Sequence, residues 1–147
     1  MGARRLLPLA LPVVLAASAC AGPPATQADA GPSIRLTLAN TGAEPLQCRL
    51  MFGHWVDRDL GRVEPKAAIG LKISQAPDGA LYIMRADGQR RMMIETITCA
   101  RGQDWMGSFG QVDLAPARSG RPTEIAASCA APEGGGRVDC APVRLTP

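Results

Sequence analysis

The seven residues Leu46–Phe52, LQCRLMF, place Leu46, Cys48, Leu50 and Phe52 on one face of an extended segment. A period of two is typical of a strand with one face in a protein core. Such a strand turns the Cys48 side chain inward. The stretch therefore predicts a β-strand with a buried cysteine.

The same alternation recurs along the chain between turn signals such as Ala76-Pro77-Asp78-Gly79. It predicts further strands over residues 33–39, 69–73, 80–85, 90–99, 112–114, 123–129 and 137–145. With 16 glycines and 13 prolines, the sequence shows no sustained helical periodicity. The pattern predicts an all-β domain over residues 33–147, either a small antiparallel β-sandwich or a partly open barrel.

The five cysteines are Cys20, Cys48, Cys99, Cys129 and Cys140. If Cys20 has a separate role, the other four allow three disulfide pairings. Cys129 and Cys140 flank a glycine-rich loop that can fold two strands together, so we expect them to pair. Cys48 and Cys99, both on inward faces of predicted strands, then form the second disulfide.

Cys48, Cys99 and the nearby Trp55 resemble the core of an immunoglobulin domain. The resemblance implies an immunoglobulin-like architecture. In detail, Trp55 follows Cys48 too closely for that family, and Ile97 stands where its corner tyrosine would be.

Residues 1–19 have the form of a secretory signal, with Arg4 and Arg5 ahead of an apolar run at residues 6–17. The run is 12 residues long, whereas a membrane-spanning helix needs about 20. Pro8 and Pro12 interrupt the run. We therefore expect it to be removed.

The four residues Ala17-Ser18-Ala19-Cys20 resemble a bacterial lipobox. The resemblance implies cleavage before Cys20, lipidation of that cysteine and attachment to a membrane. Residues 20–32 then form a flexible tether. By analogy with the family, Ala21 after the lipidated cysteine implies an outer-membrane location facing the periplasm. Cleavage at an ordinary A-x-A site, with release of a soluble protein, is the alternative.

The formal charge of the whole chain is +3, of which Arg4 and Arg5 contribute two, so +1 remains from Cys20 onward. This charge is far from the basic footprint of a nucleic-acid-binding protein. Only two Trp, one Tyr and two Phe are present, too few for a sugar-binding or single-strand-binding surface that must also supply a core.

His54 is the only histidine, and a zinc site normally needs further histidines or free thiolates. We therefore expect a structural histidine beside Trp55, with no metal and no cofactor. A Ser-His-Asp set can be assembled from Ser108, His54 and Asp57, but Met106 occupies the first glycine position of a G-x-S-x-G elbow. No catalytic residue is predicted.

The methionines after Met1, which are Met51, Met84, Met92, Met93 and Met106, show no metal-binding spacing, so core filling is expected of them. Glu95 shares the odd-numbered face of its strand with Ile97 and Cys99. If that face is the core, Glu95 is buried and paired with an arginine.

Arg85, Arg90 and Arg91 surround a predicted Asp87-Gly88 turn. Guanidinium groups bind phosphates and carboxylates bidentately, so this hairpin tip is a candidate contact for an anionic surface. A merely solvated turn is the alternative.

The sequence thus predicts a lipid-anchored envelope protein that is a non-catalytic binding or assembly module. Its expected partners are the membrane and another envelope protein or an anionic envelope polymer, and not nucleic acid. The candidate binding residues are Arg85, Arg90, Arg91, His54 and Trp55. An inhibitor of envelope proteases is the alternative function, since a rigid loop lowers the entropy cost of binding. A hydrolase is a third hypothesis.

Overall fold

A computed structural model describes residues 31–53, 56–85, 88 and 90–147. Within them the chain forms nine strands and two short helices. These are β1 (Ser33–Asn40), β2 (Leu46–Phe52), β3 (Asp57–Val63), β4 (Ala68–Gln75), β5 (Leu81–Met84), β6 (Arg91–Arg101), α1 (Trp105–Ser108), β7 (Gly110–Val112), α2 (Ala115–Ser119), β8 (Glu124–Ala130) and β9 (Asp139–Thr146). The all-β prediction is confirmed, and every predicted strand begins and ends within two residues of an observed one.

The strands form one open sheet in the order β3-β2-β6-β5-β4-β1-β8-β9, with β7 added to β6. The sheet does not close into a barrel. It bends at β6 into two packed layers, a first layer of β5-β4-β1-β8-β9 and a second layer of β3-β2-β6-β7. The layers meet where β7 packs against β9, and the Val138 N–H donates to the Ser108 carbonyl at 2.7 Å.

One pair of strands departs from the antiparallel prediction, because β1 and β8 run parallel. A parallel pair requires a long crossover between its strands. Here strands β2 to β7 and both helices form that crossover.

The core lies between the layers and follows the predicted alternation. In β1 the even positions Ile34, Leu36 and Leu38 are buried, while Arg35 faces solvent. The same pattern buries Leu46, Cys48, Leu50 and Phe52 of β2.

Both predicted disulfides are confirmed. Cys48 and Cys99 are directly opposite each other on β2 and β6, and Cys129 and Cys140 on β8 and β9. The inter-sheet disulfide of an immunoglobulin domain joins two layers. Here each disulfide instead joins two neighbouring strands of the same sheet.

The sequence did not predict β3, an edge strand of composition DRDLGRV. Its register with β2 shifts after Cys48, where Gly61 has a φ of 85°. Charged side chains, bulges and glycines are devices that keep an edge strand from pairing with other chains. They also remove the alternation that would identify a strand in the sequence.

Candidate functional site

A groove of about 650 Å³ lies on the outer surface of the second layer. Its floor consists of outward side chains that are neighbours across β2, β6 and β7: Arg49, Met51, Thr96, Thr98 and Gln111. The inward side chains of these strands pack in the core. The outward side chains are therefore the ones that a binding partner would contact.

A bulge in β6 shapes one end of the groove. Phe52 pairs with Ile94 but Met51 pairs with Thr96, so that Glu95 is an extra residue on β6. Ile94 is buried before the bulge, and after it Ile97 to Ala100 are buried without a break. Glu95 consequently faces solvent and lines the groove, and the prediction that it is a buried, ion-paired residue is wrong.

The bulge lies where β6 changes its partner from β5 to β7. The carbonyl groups of Ile94 and Glu95 fall between these two strands. The Arg118 guanidinium, from α2, donates to both of them at 2.8 and 2.6 Å. Because hydrogen bonds from a charged donor are stronger than neutral ones, this contact holds the position of Glu95.

The helix α1 closes the other end of the groove. Asp104 caps it by accepting a hydrogen bond from the Gly107 backbone N–H at 3.0 Å. The Ser108 hydroxyl donates to the Asp104 carbonyl at 2.5 Å and accepts from the Arg101 N–H at 2.8 Å. Ser108 is only 2 % exposed. With both of its hydrogen bonds made within the turn, it has a structural role there.

Two groove side chains are held in place by an aromatic contact. The Arg49 guanidinium lies 4.2 Å from the Trp105 ring centroid and forms a 3.1 Å ion pair with Asp57. Met106, the next residue along, is 94 % exposed. Trp105 and Met106 thus form an apolar rim above a floor that carries one basic side chain.

The indole Nε1 of Trp105 is buried and has no hydrogen-bond partner among the residues that the structure describes. A buried tryptophan N–H normally has a partner. Because this nitrogen is buried, Trp105 contributes its ring, and not its N–H, to the lining of the groove.

The groove carries more negative than positive charge. Arg49 is neutralised by Asp57, and the carboxylate of Glu95 remains. On the neighbouring part of β3, the pKa of Asp59 lies below its usual 3.8. The main cause is a hydrogen bond from the Gly61 backbone N–H, followed by one from the Gln47 amide. Asp59 is therefore ionised at neutral pH, and on β3 its charge and that of Asp57 are balanced by Arg58 and Arg62.

The structure places only part of the residues that the sequence grouped as candidates. Ser108 is buried inside α1, whereas Asp57 lies on the exposed edge strand. His54, Trp55, Cys20 and Asp87 lie outside the described residues. Within the described part of the chain, no group of three or more His, Cys, Asp or Glu side chains is arranged to hold a metal ion.

Arg85, Arg90 and Arg91 lie at the predicted hairpin, where the Arg85 N–H donates to the Arg90 carbonyl at 2.9 Å. Arg85 and Arg90 are exposed, and the Arg91 guanidinium lies 5.1 Å from the ring centroid of Tyr82. Arg91 lies in the part of β6 that pairs with β5, and none of the three arginines lines the groove.

The expectation that the methionines fill the core is wrong for Met84, Met93 and Met106, whose exposed fractions are 45 %, 44 % and 94 %. Met84 and Met93 pair across the sheet with the outward residues Arg91 and Tyr82, so they also point outward. Sequence reasoning assigned Trp105 to no site. Its only signal was an aromatic residue between two predicted strands in a chain with few aromatics.

No family model, no curated protein and no solved structure matches this chain. None of the helices in the described ranges is long and apolar enough to span a membrane. The class that fold and site define is a disulfide-linked β-sandwich with an outward groove rimmed by Trp105 and Met106.

Proposed function

We propose that this chain is a lipid-anchored envelope protein whose β domain is a non-catalytic binding module. Its groove beside α1 binds a polypeptide segment of a partner. The observation that carries the proposal is the exposure of Met106 next to the Trp105 ring at the rim of the groove.

The rigidity of this region supports a binding role. A rigid surface loses little conformational entropy when a partner docks. The turn around α1 is fixed by the Asp104 cap and by both hydrogen bonds of Ser108. It follows directly on β6, two residues of which, Cys99 and Ala100, are completely buried.

The chemistry of the groove suits an apolar segment with a basic side chain. Tryptophan and methionine are enriched at the centres of protein interfaces. Met51, Trp105 and Met106 would contact apolar side chains, and Glu95 would pair with a lysine or arginine.

The anchor is supported by the sequence, in which Cys20 follows a lipobox-like signal. The confirmed pairing of Cys48 with Cys99 and of Cys129 with Cys140 leaves Cys20 without a disulfide partner within the chain. Lipidation would give that cysteine a chemical role.

Trp105→Ala is expected to weaken the interaction with the groove partner at least about 30-fold, since truncation of a central tryptophan costs about 2 kcal/mol or more. Immobilised full-chain protein would be incubated with detergent-solubilised envelope proteins, and the retained proteins quantified. Tyr82→Ala, which removes an aromatic side chain from the other layer, serves as the matched control. A protein retained by wild type and Tyr82→Ala but lost with Trp105→Ala is the expected result. Equal retention by all three would contradict the assignment of the groove.

A further inference from the structure

The outward side of the first layer is rich in basic residues. Arg35, Lys72, Arg91 and Arg144, from β1, β4, β6 and β9, all occupy outward register positions at or beside this layer. We call this surface the cationic face. Its acidic residues in the described strands are Glu124 and, at the far end, Asp139.

Two of these cations face each other. Arg35 and Lys72 are directly opposite across the β1–β4 pair, and like charges in that position destabilise a sheet. The acid next to them is Glu124, 3.9 Å from the Arg35 guanidinium, and both side chains are largely exposed. Glu124 offsets one positive charge, but the basic residues of the face still outnumber its acidic ones, so the face retains a positive potential that an external anion would neutralise.

Short side chains occupy the centre of the cationic face. Thr37 of β1 lies between Gly70 of β4 and Ala126 of β8. None of the three has a long side chain, so the face can approach a planar surface.

Amphipathic side chains lie at one end of the face. Met84 and Met93 are 45 % and 44 % exposed, and they pair with Arg91 and Tyr82. The Arg91 guanidinium lies 5.1 Å from the ring centroid of Tyr82. Apolar, aromatic and basic side chains together are the composition of proteins that lie at a membrane interface.

The chain enters the fold at this same end. Ser33, the first residue of β1, pairs with Ser74, which pairs with Tyr82, which in turn pairs with Met93. The segment between Cys20 and Ser33 is 12 residues long, and 12 residues span at most about 40 Å when fully extended. A lipid at Cys20 would therefore hold the cationic face within reach of the bilayer.

We propose that the cationic face docks on the surface of an anionic lipid bilayer. The inference rests on the proposed lipid anchor for the proximity of that bilayer. Docking in this orientation points the groove of the second layer away from the membrane, towards its partner. The anchor makes the contact intramolecular, so weak attraction suffices.

The test uses the Cys20→Ser chain, which removes the anchor and leaves the face. Its binding to vesicles of phosphatidylglycerol and phosphatidylcholine is compared with binding to phosphatidylcholine alone, by sedimentation at low and physiological salt. A basic residue near an anionic surface contributes about 1 kcal/mol, or about fivefold. Lys72→Gln combined with Arg144→Gln is therefore expected to weaken binding to the anionic vesicles about 25-fold. Added salt should weaken the binding of the unmutated face.

The matched control is Arg62→Gln combined with Arg137→Gln, which removes the same charge from exposed positions outside the face. It should bind anionic vesicles nearly as well as the parent chain. Equal losses in both double variants would mean that net charge alone attracts the protein, and absence of binding to anionic vesicles would also overturn the proposal. Binding to an anionic polysaccharide but not to vesicles would assign the face to a polymer instead. Detergent partitioning of the unmutated chain reports the anchor independently, so failure of the anchor and failure of the face are distinguishable.

Discussion

Replacement of Cys20 by serine is expected to move the protein from the detergent phase to the aqueous phase of a Triton X-114 extraction. The lipobox-like signal implies that Cys20 carries a diacylglyceryl group on sulfur and a third acyl chain on its new amine. Each buried CH₂ contributes about 0.8 kcal/mol, so three acyl chains hold a protein in a bilayer almost irreversibly. Serine provides no sulfur for this chemistry, and the change in partitioning should be complete.

Labelled palmitate provides the second measurement. The wild-type protein should incorporate it and Cys20→Ser should not. Ser18→Ala, which keeps a small residue ahead of Cys20, should behave like wild type and controls for damage to the signal. A wild-type protein that partitions into the aqueous phase without label would show that the signal is cut at an ordinary site.

The double variant Cys48→Ala, Cys99→Ala is expected to lose about 4 kcal/mol of its free energy of unfolding, by the loop-entropy relation for a disulfide. The disulfide closes a loop with a sequence separation of 51. Typical domains have a net stability of only about 5–15 kcal/mol, so this loss would leave much of the protein unfolded at elevated temperature. Both cysteines are completely buried, so lost packing adds to the effect.

The companion variant Cys129→Ala, Cys140→Ala opens a loop with a sequence separation of only 11. The same relation predicts a smaller loss of about 3 kcal/mol. Urea unfolding, followed by far-UV circular dichroism, would compare both variants with wild type. An unchanged urea midpoint for the Cys48 and Cys99 variant would contradict the stabilising role of that disulfide.

The core strands could be predicted because their alternation directly reflects burial. Leu46–Phe52 was predicted with its exact bounds, since every second residue packs inward. The two disulfides could be predicted from the same alternation, and because four cysteines, an even number, remain when Cys20 is set aside. The parallel pairing of β1 with β8 was not accessible, because periodicity identifies strands but not their neighbours.

The groove could not be predicted, because it depends on a local exception to that alternation. The sequence Met92-Met93-Ile94-Glu95-Thr96-Ile97 has apolar residues on both faces, and only the bulge assigns Glu95 to the surface. That bulge is supported by Arg118, 23 residues away from Glu95 in the chain. Likewise, the contact between Arg49 and Trp105 joins two distant segments that no short motif connects.

Site-specific photo-crosslinking from position 106 tests most directly whether the groove binds a partner. Met106 is 94 % exposed, so a photoreactive amino acid should be tolerated there. In the full-length protein within native envelopes, the probe at Met106 should give one predominant protein adduct that Trp105→Ala abolishes. The same probe at Thr37, on the cationic face, should not give that adduct. Identical adducts from both positions, or an adduct from position 106 that persists in Trp105→Ala, would contradict the proposal that the groove binds a partner.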